Sequence, residues 1–148
     1  MVKSPPQEAA TPTSSFGDEL DRLYRQHSAR MWRALTAFSG DREIAQDAVA
    51  EAFAQAIARG TAIRSPERWV WKAAYRIAAG ELHRRRALAN VTTEVAATAD
   101  DEAALEIRSA LAQLPPTQRI VVLLHYYAGY PAREVAQITS TTPAAVWM

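Results

Sequence analysis

The sequence contains no cysteine among its 148 residues, which excludes a disulfide scaffold and any cysteine-ligated metal site. Its five glycines form no phosphate-binding loop. No run approaches the ~20 apolar residues of a membrane-spanning helix, and the N-terminal residues lack the apolar core of a signal peptide. These absences predict a protein with no membrane insertion, and the lack of cysteine fits a reducing, cytoplasmic environment.

Residues that could carry catalysis or bind a metal are sparse. The histidines, His27, His83 and His125, are too far apart in the sequence for a local His-x-x-x-His motif. The acidic run 100–102 could mimic a metal cluster, but a linker that leads into a helix explains it better. No nucleophile stands at a readable spacing from a general base. The sequence therefore predicts a protein that is not an enzyme, with no cofactor and no bound metal.

Charge is unevenly distributed in an otherwise ordinary globular composition. The chain is 49% hydrophobic and 22% charged, with a net charge of +1. From Arg59 to Arg86, however, eight Arg or Lys residues stand against only Glu67 and Glu81, an excess of six positive charges. Such a concentrated positive segment is typical of a surface that binds nucleic acid.

Apolar residues recur at three- and four-residue spacing through most of the chain, which predicts an all-α fold. Helices are predicted at about 17–38, 41–59, 66–88, 102–114, 116–128 and 131–138, and a seventh begins at Thr142. Asp41 and Thr142 are predicted N-caps. The β-branched run in 116–128 could also form a strand, but Pro116 and the absence of partner strands favour a helix.

The segment 90–101 contains few large apolar residues and is the predicted domain boundary. Residues 1–15, rich in Pro, Ser, Thr and Ala, are predicted to be a disordered tail. Residues 16–89 then form a three-helix domain, and residues 102–148 form a second helical domain. We therefore expect two small helical domains joined by a flexible linker.

The third predicted helix carries a set of cations that we call the basic stripe. At about 100° per residue, its members share a sector roughly 80° wide: Arg68, Lys72, Arg76, His83 and Arg86. Trp69 and Tyr75 border the stripe, whereas Trp71 and Leu82 lie on another face that can pack on a core. The cations suit phosphates and the rings suit unpaired bases. The alternative is a solvated basic face with core tryptophans.

The C-terminal segment has a helix-turn-helix pattern. Residues 131–138 and the helix from Thr142 are separated by the turn 139–141, where Ser140 occupies the usual place of a glycine. This pattern alone is weak, because many helical hairpins share it.

These features in this order resemble an extracytoplasmic-function (ECF) sigma factor, over about residues 16–148. AQDAVAEAF, residues 45–53, is similar to the family's polymerase-binding motif Ala-Glu-Asp-Leu-Val-Gln-Glu-x-Phe. Asp47, Val49, Glu51 and Phe53 match this motif, and Gln46 and Ala50 depart from it.

Two further segments carry the resemblance. Residues 66–86 are similar to the helix that meets the minus-ten promoter element, with matches at Trp69 and the run 84–86, but Arg76 and Gly80 replace the commoner Asn and Asp. LPPTQRIVVLLHYYAGYPAREVAQI, residues 114–138, is similar to the minus-thirty-five domain, with Leu-Pro, Gln-Arg and then the helix-turn-helix.

The resemblance implies a dissociable subunit that binds core RNA polymerase and directs promoter recognition and opening. An anti-sigma protein is a further candidate partner. The implied polymerase-binding residues are Asp47, Val49, Glu51 and Phe53. The implied DNA-binding residues are Arg68, Trp69, Lys72, Tyr75, Arg76, His83, Arg84, Arg85, Arg86, Arg133, Thr142 and Ala144. Phe53 and Trp69 could equally be core residues.

The C-terminal end departs from the family pattern. The family's recognition helix normally continues through a basic stretch, whereas this sequence ends at Trp147-Met148 with few charges after Pro115: Arg119, Arg133 and Glu134. Either the chain is truncated, or its second domain serves packing more than DNA reading. Two other functions stay open: a helical DNA-binding regulator with one working domain, and a polymerase-binding decoy without a working minus-thirty-five reader.

Overall fold

The computed structural model describes residues 12–88 and 102–146, and within these ranges every regular element is helical. The seven helices of these ranges are α1 Pro12–Ser39, α2 Arg42–Arg59, α3 Pro66–Leu88, α4 Glu102–Gln113, α5 Pro116–Val122, α6 Ala132–Thr139 and α7 Pro143–Val146. A 3₁₀ turn, Gly60–Ala62, leads towards α3, and a π-helical segment, Leu123–Tyr127, extends α5. The all-α prediction is confirmed. The predicted tail up to residue 11, the predicted linker 90–101 and Trp147-Met148 lie outside the described residues.

Helix α1 begins five residues before the predicted start at Gly17. The apolar period continues backwards to Phe16, which is only 9% exposed and belongs to the core with Leu20. Residues 12–15 are helical too, so they belong to α1 and not to the predicted tail. Proline tolerates the first helical turn, which is where Pro12 stands.

The cap of α2 follows from its sequence. The Asp41 carboxylate accepts hydrogen bonds from the backbone N–H groups of Glu43, at 2.8 Å, and Ile44, at 3.4 Å. Gly40 precedes it with φ at 72°, the left-handed conformation that glycine adopts without strain. The predicted N-cap at Asp41 is confirmed.

The core of α1 to α3, which we call the first unit, lies between the three helices. Alanines at positions 45, 48, 52 and 56 of α2 are fully buried, which lets the helix backbones approach closely. Trp71 of α3 is 1% exposed and Phe38 of α1 is fully buried. The predicted core face of α3 is therefore correct, with Trp71 and Leu82 both inside.

The helix-turn-helix is formed by α6 and α7, within what we call the second unit, α4 to α7. Ser140 has φ 57° and ψ 42°, the left-handed conformation expected of a turn glycine, and the Thr141 N–H donates to the Ala136 carbonyl at 2.8 Å. The Thr142 hydroxyl accepts a hydrogen bond from the Ala145 N–H at 3.2 Å. The predicted turn and the predicted N-cap at Thr142 are both present.

The predicted fifth helix, 116–128, is helical from Pro116 to Tyr127, so the strand alternative is excluded. Its second half is π-helical: the Ala128 N–H donates to the Leu123 carbonyl at 2.9 Å. The wider turn carries one extra residue, which places Leu123 and Leu124 in the core and leaves Tyr126 76% exposed.

The two units pack directly against each other. Ile120, Leu124, Val135 and Ile138 of the second unit join the same hydrophobic cluster as Phe38 and Trp71 of the first. Helix α3 packs on α6, while α1 contacts α4, α5 and the π-helical segment. The division into two domains stays a prediction. The packing places the helix-turn-helix beside the basic stripe.

Candidate nucleic-acid interface

The basic stripe lies along one side of α3. Arg76, His83 and Arg86 are exposed, whereas Arg68 and Lys72 are partly buried. Within residues 12–88 and 102–146, none of these five side chains forms an ion pair with a carboxylate. The positive charge of the four Arg and Lys side chains is therefore not neutralised by a carboxylate of the described residues, which suits an anionic ligand such as the phosphate backbone of DNA.

Arg84 and Arg85 differ from the stripe because both are held by acidic side chains. Arg84 pairs with Glu81 at 2.5 Å, and Arg85 pairs with Glu81 at 3.1 Å and with Asp41 of the α2 cap. The hydrogen bond from Arg84 holds the pKa of the Glu81 carboxyl below its ordinary value. Arg85 ties α3 to the start of α2, whereas Arg84 pairs only within α3. Arg86 is therefore the member of the run 84–86 without a paired carboxylate in the described part.

A basic cavity of about 410 Å³ opens between the α2–α3 connection and the first turns of α3. Its lining includes four cations: Arg59, Arg64, Arg68 and Lys72. Trp69 forms part of the wall, and the Arg59 guanidinium lies over its ring, 5.9 Å from the centroid. Sequence analysis placed Arg59 and Arg64 in the positively charged segment 59–86 but not in the basic stripe. The stripe was defined from the periodicity of the third helix, which does not include these two residues.

The two aromatic rings beside the stripe have different surroundings. Trp69 is partly buried at the wall of the basic cavity. Tyr75 packs edge-on against Phe38, with centroids 5.6 Å apart, and it lines a separate groove with Val121 and Val146. Burial raises the pKa of the Tyr75 hydroxyl. Trp69 is therefore placed to meet a ligand of the basic cavity, while Tyr75 faces the second unit.

The second unit presents few cations to solvent. Arg133, Thr142 and Ala144 are exposed, as a role in DNA binding requires. Arg119 is 5% exposed and donates hydrogen bonds to the carbonyls of Phe38, at 2.5 Å, and Leu111, at 2.8 Å. Desolvation lowers the pKa of Arg119 from its ordinary value. The sequence analysis counted Arg119 among the few charges after Pro115, but its side chain is buried and does not contribute to the charged surface.

The candidate polymerase-binding residues of α2 fall into two groups. Asp47 and Glu51 are exposed, whereas Val49 and Phe53 are 6% and 7% exposed and belong to the core. The Tyr24 ring of α1 lies edge-on to Phe53, with centroids 5.0 Å apart, and is half exposed.

One expectation for α2 was wrong. Ile57 stands four residues after Phe53 in the apolar spacing of the second predicted helix, which predicts a buried side chain, but it is 70% exposed. The buried stripe runs through Ala48, Ala52 and Ala56 at four-residue steps, and Ile57 lies about 100° further round the helix. An apolar side chain is therefore exposed near the end of α2, where the apolar spacing predicted a buried one.

The comparison with known families identifies the C-terminal segment. Residues 104–148 match the family described as sigma-70, region 4. No curated protein matches the chain. Across the described helices, none has the length and apolar character needed to cross a membrane.

The match spans nearly all of α4 and the whole of α5 to α7, including the helix-turn-helix turn at Ser140. It confirms the resemblance to a sigma factor that the sequence suggested, and it assigns this segment to a DNA-binding family of transcription initiation and not to a family of enzymes. Residues 104–148 are therefore similar to region 4 of the sigma-70 family.

Proposed function

We propose that the protein is a sigma factor that binds core RNA polymerase and directs promoter recognition and opening. The observation that carries this proposal is the basic stripe with its adjoining cavity, placed upstream of a sigma-70 region 4 segment in the same chain. Four Arg or Lys residues of the stripe, without carboxylate partners in the described residues, suit a polyanion, and a tryptophan at the cavity wall suits an unpaired base.

The first unit would meet DNA through two kinds of contact. The exposed side chains of Arg76, His83 and Arg86 would donate to backbone phosphates, and the two arginines would give attraction that does not depend on sequence. The basic cavity would take a nucleotide freed from the duplex, with its phosphate near Arg64 or Lys72 and its base against Trp69. Favouring unpaired nucleotides would lower the free energy of an open promoter relative to a closed one.

The second unit would contribute the upstream contact with DNA. Arg133 on α6, and Thr142 and Ala144 at the start of α7, are exposed beside the turn. Thr142 already caps α7 through its hydroxyl, so its contact with DNA would come from the remaining face of that oxygen or from its methyl group. Few cations accompany these residues, so most of the affinity would come from the first unit.

The polymerase contact would be made by α2. Asp47 and Glu51 project to solvent, and Ile57 adds an exposed apolar side chain to the same helix. Val49 and Phe53 lie in the core, so they would act by fixing the helix and not by direct contact. An acidic and apolar surface of this kind suits a basic protein partner.

Transcription with purified core RNA polymerase tests the proposal. A sigma factor binds the core enzyme and supports starts at specific promoters. A DNA-binding regulator would not bind the core enzyme, and a decoy would bind it without initiating. The proposed role would require the protein to act in the cytoplasm, where the polymerase and the chromosome are. An anti-sigma partner stays a prediction, and the purified protein can serve as the probe in a search for it.

A further inference from the structure

The basic cavity has the size and the lining of a small-molecule site. Its volume of about 410 Å³ lies within the range of ~300–1,000 Å³ that is usual for ligand pockets in proteins. Among the described residues, no acidic side chain lines it, and its four cations are Arg59, Arg64, Arg68 and Lys72. Within residues 12–88 and 102–146, no carboxylate forms an ion pair with any of the four. The cavity therefore presents a concentrated positive charge to a ligand.

One nucleotide of a DNA strand would use only part of this charge. Each nucleotide of DNA brings a single negative charge on its phosphate. A terminal phosphate, in contrast, carries about 1.5 to 2 negative charges at neutral pH. A ligand with two or three linked phosphates therefore balances the four cations of the cavity more closely than one nucleotide within a strand does.

The ring of Trp69 offers a flat apolar face beside these cations. The Arg59 guanidinium lies over the ring, 5.9 Å from its centroid, so this face accepts a planar group. A nucleobase stacks on tryptophan in a similar way. A base in this place would displace the Arg59 guanidinium and free its donors for a phosphate. The cavity thus combines a surface for a base with cations for several phosphates.

Neutral donors complete the lining. Ser65 lies directly before the start of α3 at Pro66, where the helix dipole places partial positive charge. Glu67, the acidic residue of that first turn, accepts a hydrogen bond from the Tyr130 hydroxyl at 2.5 Å and does not line the cavity. The side-chain carbonyl of Gln137 on α6 accepts from Arg68, and the same amide group also carries N–H donors. Ser65 and Gln137 therefore suit the sugar and phosphate oxygens of a nucleotide.

We propose that the basic cavity binds a free nucleoside diphosphate or triphosphate, with the base against Trp69 and the phosphates among the cations. The inference goes beyond the proposed function, because a free nucleotide requires neither a promoter nor the polymerase. The ligand occupies the cavity that we assign above to an unpaired nucleotide of DNA, so the two exclude each other. If the protein opens promoters as proposed, free nucleotide therefore competes with opening.

Calorimetric titration of the full chain with three probes tests the site. ADP carries a base and phosphates, pyrophosphate carries phosphates alone, and adenosine carries a base alone. We expect ADP to bind about 5- to 150-fold more tightly than pyrophosphate, because it adds a stacked base. Adenosine should bind more weakly than ADP, because it makes no use of the four cations. ADP that binds no more tightly than pyrophosphate would overturn the proposal.

Two substitutions separate the role of the cations from that of the ring. Arg64→Ala, at an exposed position, should weaken the binding of ADP and of pyrophosphate by a similar factor, about two- to fivefold. Trp69→Leu should weaken the binding of ADP alone, by about 5- to 150-fold.

The matched control is Arg33→Ala, which removes the same charge from an exposed position on α1 that does not line the cavity. It should leave the binding of ADP unchanged, and circular dichroism checks the fold of each variant. Equal losses in the Arg64→Ala and Arg33→Ala variants would contradict the site. So would a folded Trp69→Leu variant that binds ADP as the parent does.

Competition with unpaired DNA distinguishes this inference from the proposed function. A single-stranded oligothymidine should displace ADP, and ADP that stays bound beside the DNA would overturn the shared use of the cavity. If ADP binds but DNA and core polymerase do not, the proposed function is wrong and the nucleotide site stands. If DNA and core polymerase bind but ADP does not bind at millimolar concentration, the nucleotide site is wrong and the proposed function stands.

Discussion

At the scale of single residues, Arg119 shows how a charge can become internal. Its guanidinium presents several donors in a planar fork, and carbonyls of Phe38, Leu111 and Leu114 surround it at 2.5 to 2.9 Å. The Phe38 ring lies 6.0 Å from the guanidinium carbon and adds an aromatic face. The side chain therefore serves the packing of the two units and is not available to DNA.

Replacing Arg119 with Met should destabilise the protein by about 1.5–3 kcal/mol, because charge-assisted hydrogen bonds are lost and buried carbonyls are left without donors. Urea unfolding followed by circular dichroism measures the free energy of unfolding. The matched control is Arg133→Met at an exposed position, which should change that free energy by less than about 0.5 kcal/mol. Equal losses in the two variants would contradict an internal role for Arg119.

Trp69 and Lys72 line the same cavity but should act differently on DNA. Trp69→Leu should spare duplex binding and impair promoter opening, since a stacked base is worth about 1–3 kcal/mol. Lys72→Ala should instead weaken binding to all DNA and flatten its salt dependence by up to about 0.9 in slope for the lost phosphate contact. Permanganate footprinting of unpaired thymines measures opening, with circular dichroism as the check on folding. Normal opening by the Trp69→Leu variant would show that Trp69 is only a core residue.

At the scale of elements, the sequence predicted where helices begin and end better than which helices pack against each other. Asp41 and Thr142 cap the helices they were expected to cap, and Ser140 takes the glycine position of the turn. These are local effects, set by a few adjacent residues and their backbone hydrogen bonds. The roles assigned to the stripe and to the acidic face of α2 stay predictions.

The features that escaped sequence analysis depend on other parts of the chain. The periodicity of α3 indicated a polar face but not that Gln137 and Ser140 would contact it. The π-helical turn after α5 depends on how Leu123 and Leu124 fit the shared core. Contacts between distant segments leave no trace in local spacing.

The exposed acidic residues of α2 give a test of the polymerase contact. Asp47→Lys combined with Glu51→Lys should abolish binding to core RNA polymerase and leave the fold intact, because both side chains are exposed. Asp18→Lys combined with Asp21→Lys, at exposed positions on α1, makes the same change in charge away from that face. A titration of core polymerase measures affinity. Equal affinities of the two double variants would reject the assignment.

At the scale of the whole molecule, packing of the second unit on α3 reduces the positive charge that the basic stripe presents to solvent. The net charge is only +1, yet the basic stripe lies on one side of α3, and Gln137 and Ser140 of the second unit contact two of its arginines with neutral groups. A packed form therefore presents a weaker positive surface than its sequence implies. The contacts that maintain this form, above all those of Tyr130, decide how readily the surface is exposed.

The hydroxyl of Tyr130 makes this packing sensitive to alkaline pH. Burial, followed by the hydrogen bond and negative charge of Glu67, raises the pKa of Tyr130 well above its ordinary value, with Glu134 adding to the rise and Arg30 opposing it. In the unfolded chain the same phenol ionises near its usual pKa of about 10. Tyr130 thus contributes stability that is fully present below about pH 10 and is lost as the pH rises further, because the unfolded form then releases a proton that the folded form retains.

Tyr130→Phe removes this contribution while keeping the ring against Trp71. At neutral pH the variant should be less stable by about 1 kcal/mol, or somewhat more because the acceptor is charged. Between about pH 10 and pH 11 the free energy of unfolding should fall more steeply in the parent than in the variant. Tyr75, whose pKa is also raised, is present in both proteins, so its effect cancels in the comparison. Urea unfolding at a series of pH values measures the two slopes, and equal slopes would show that the hydroxyl does not remain protonated between the units.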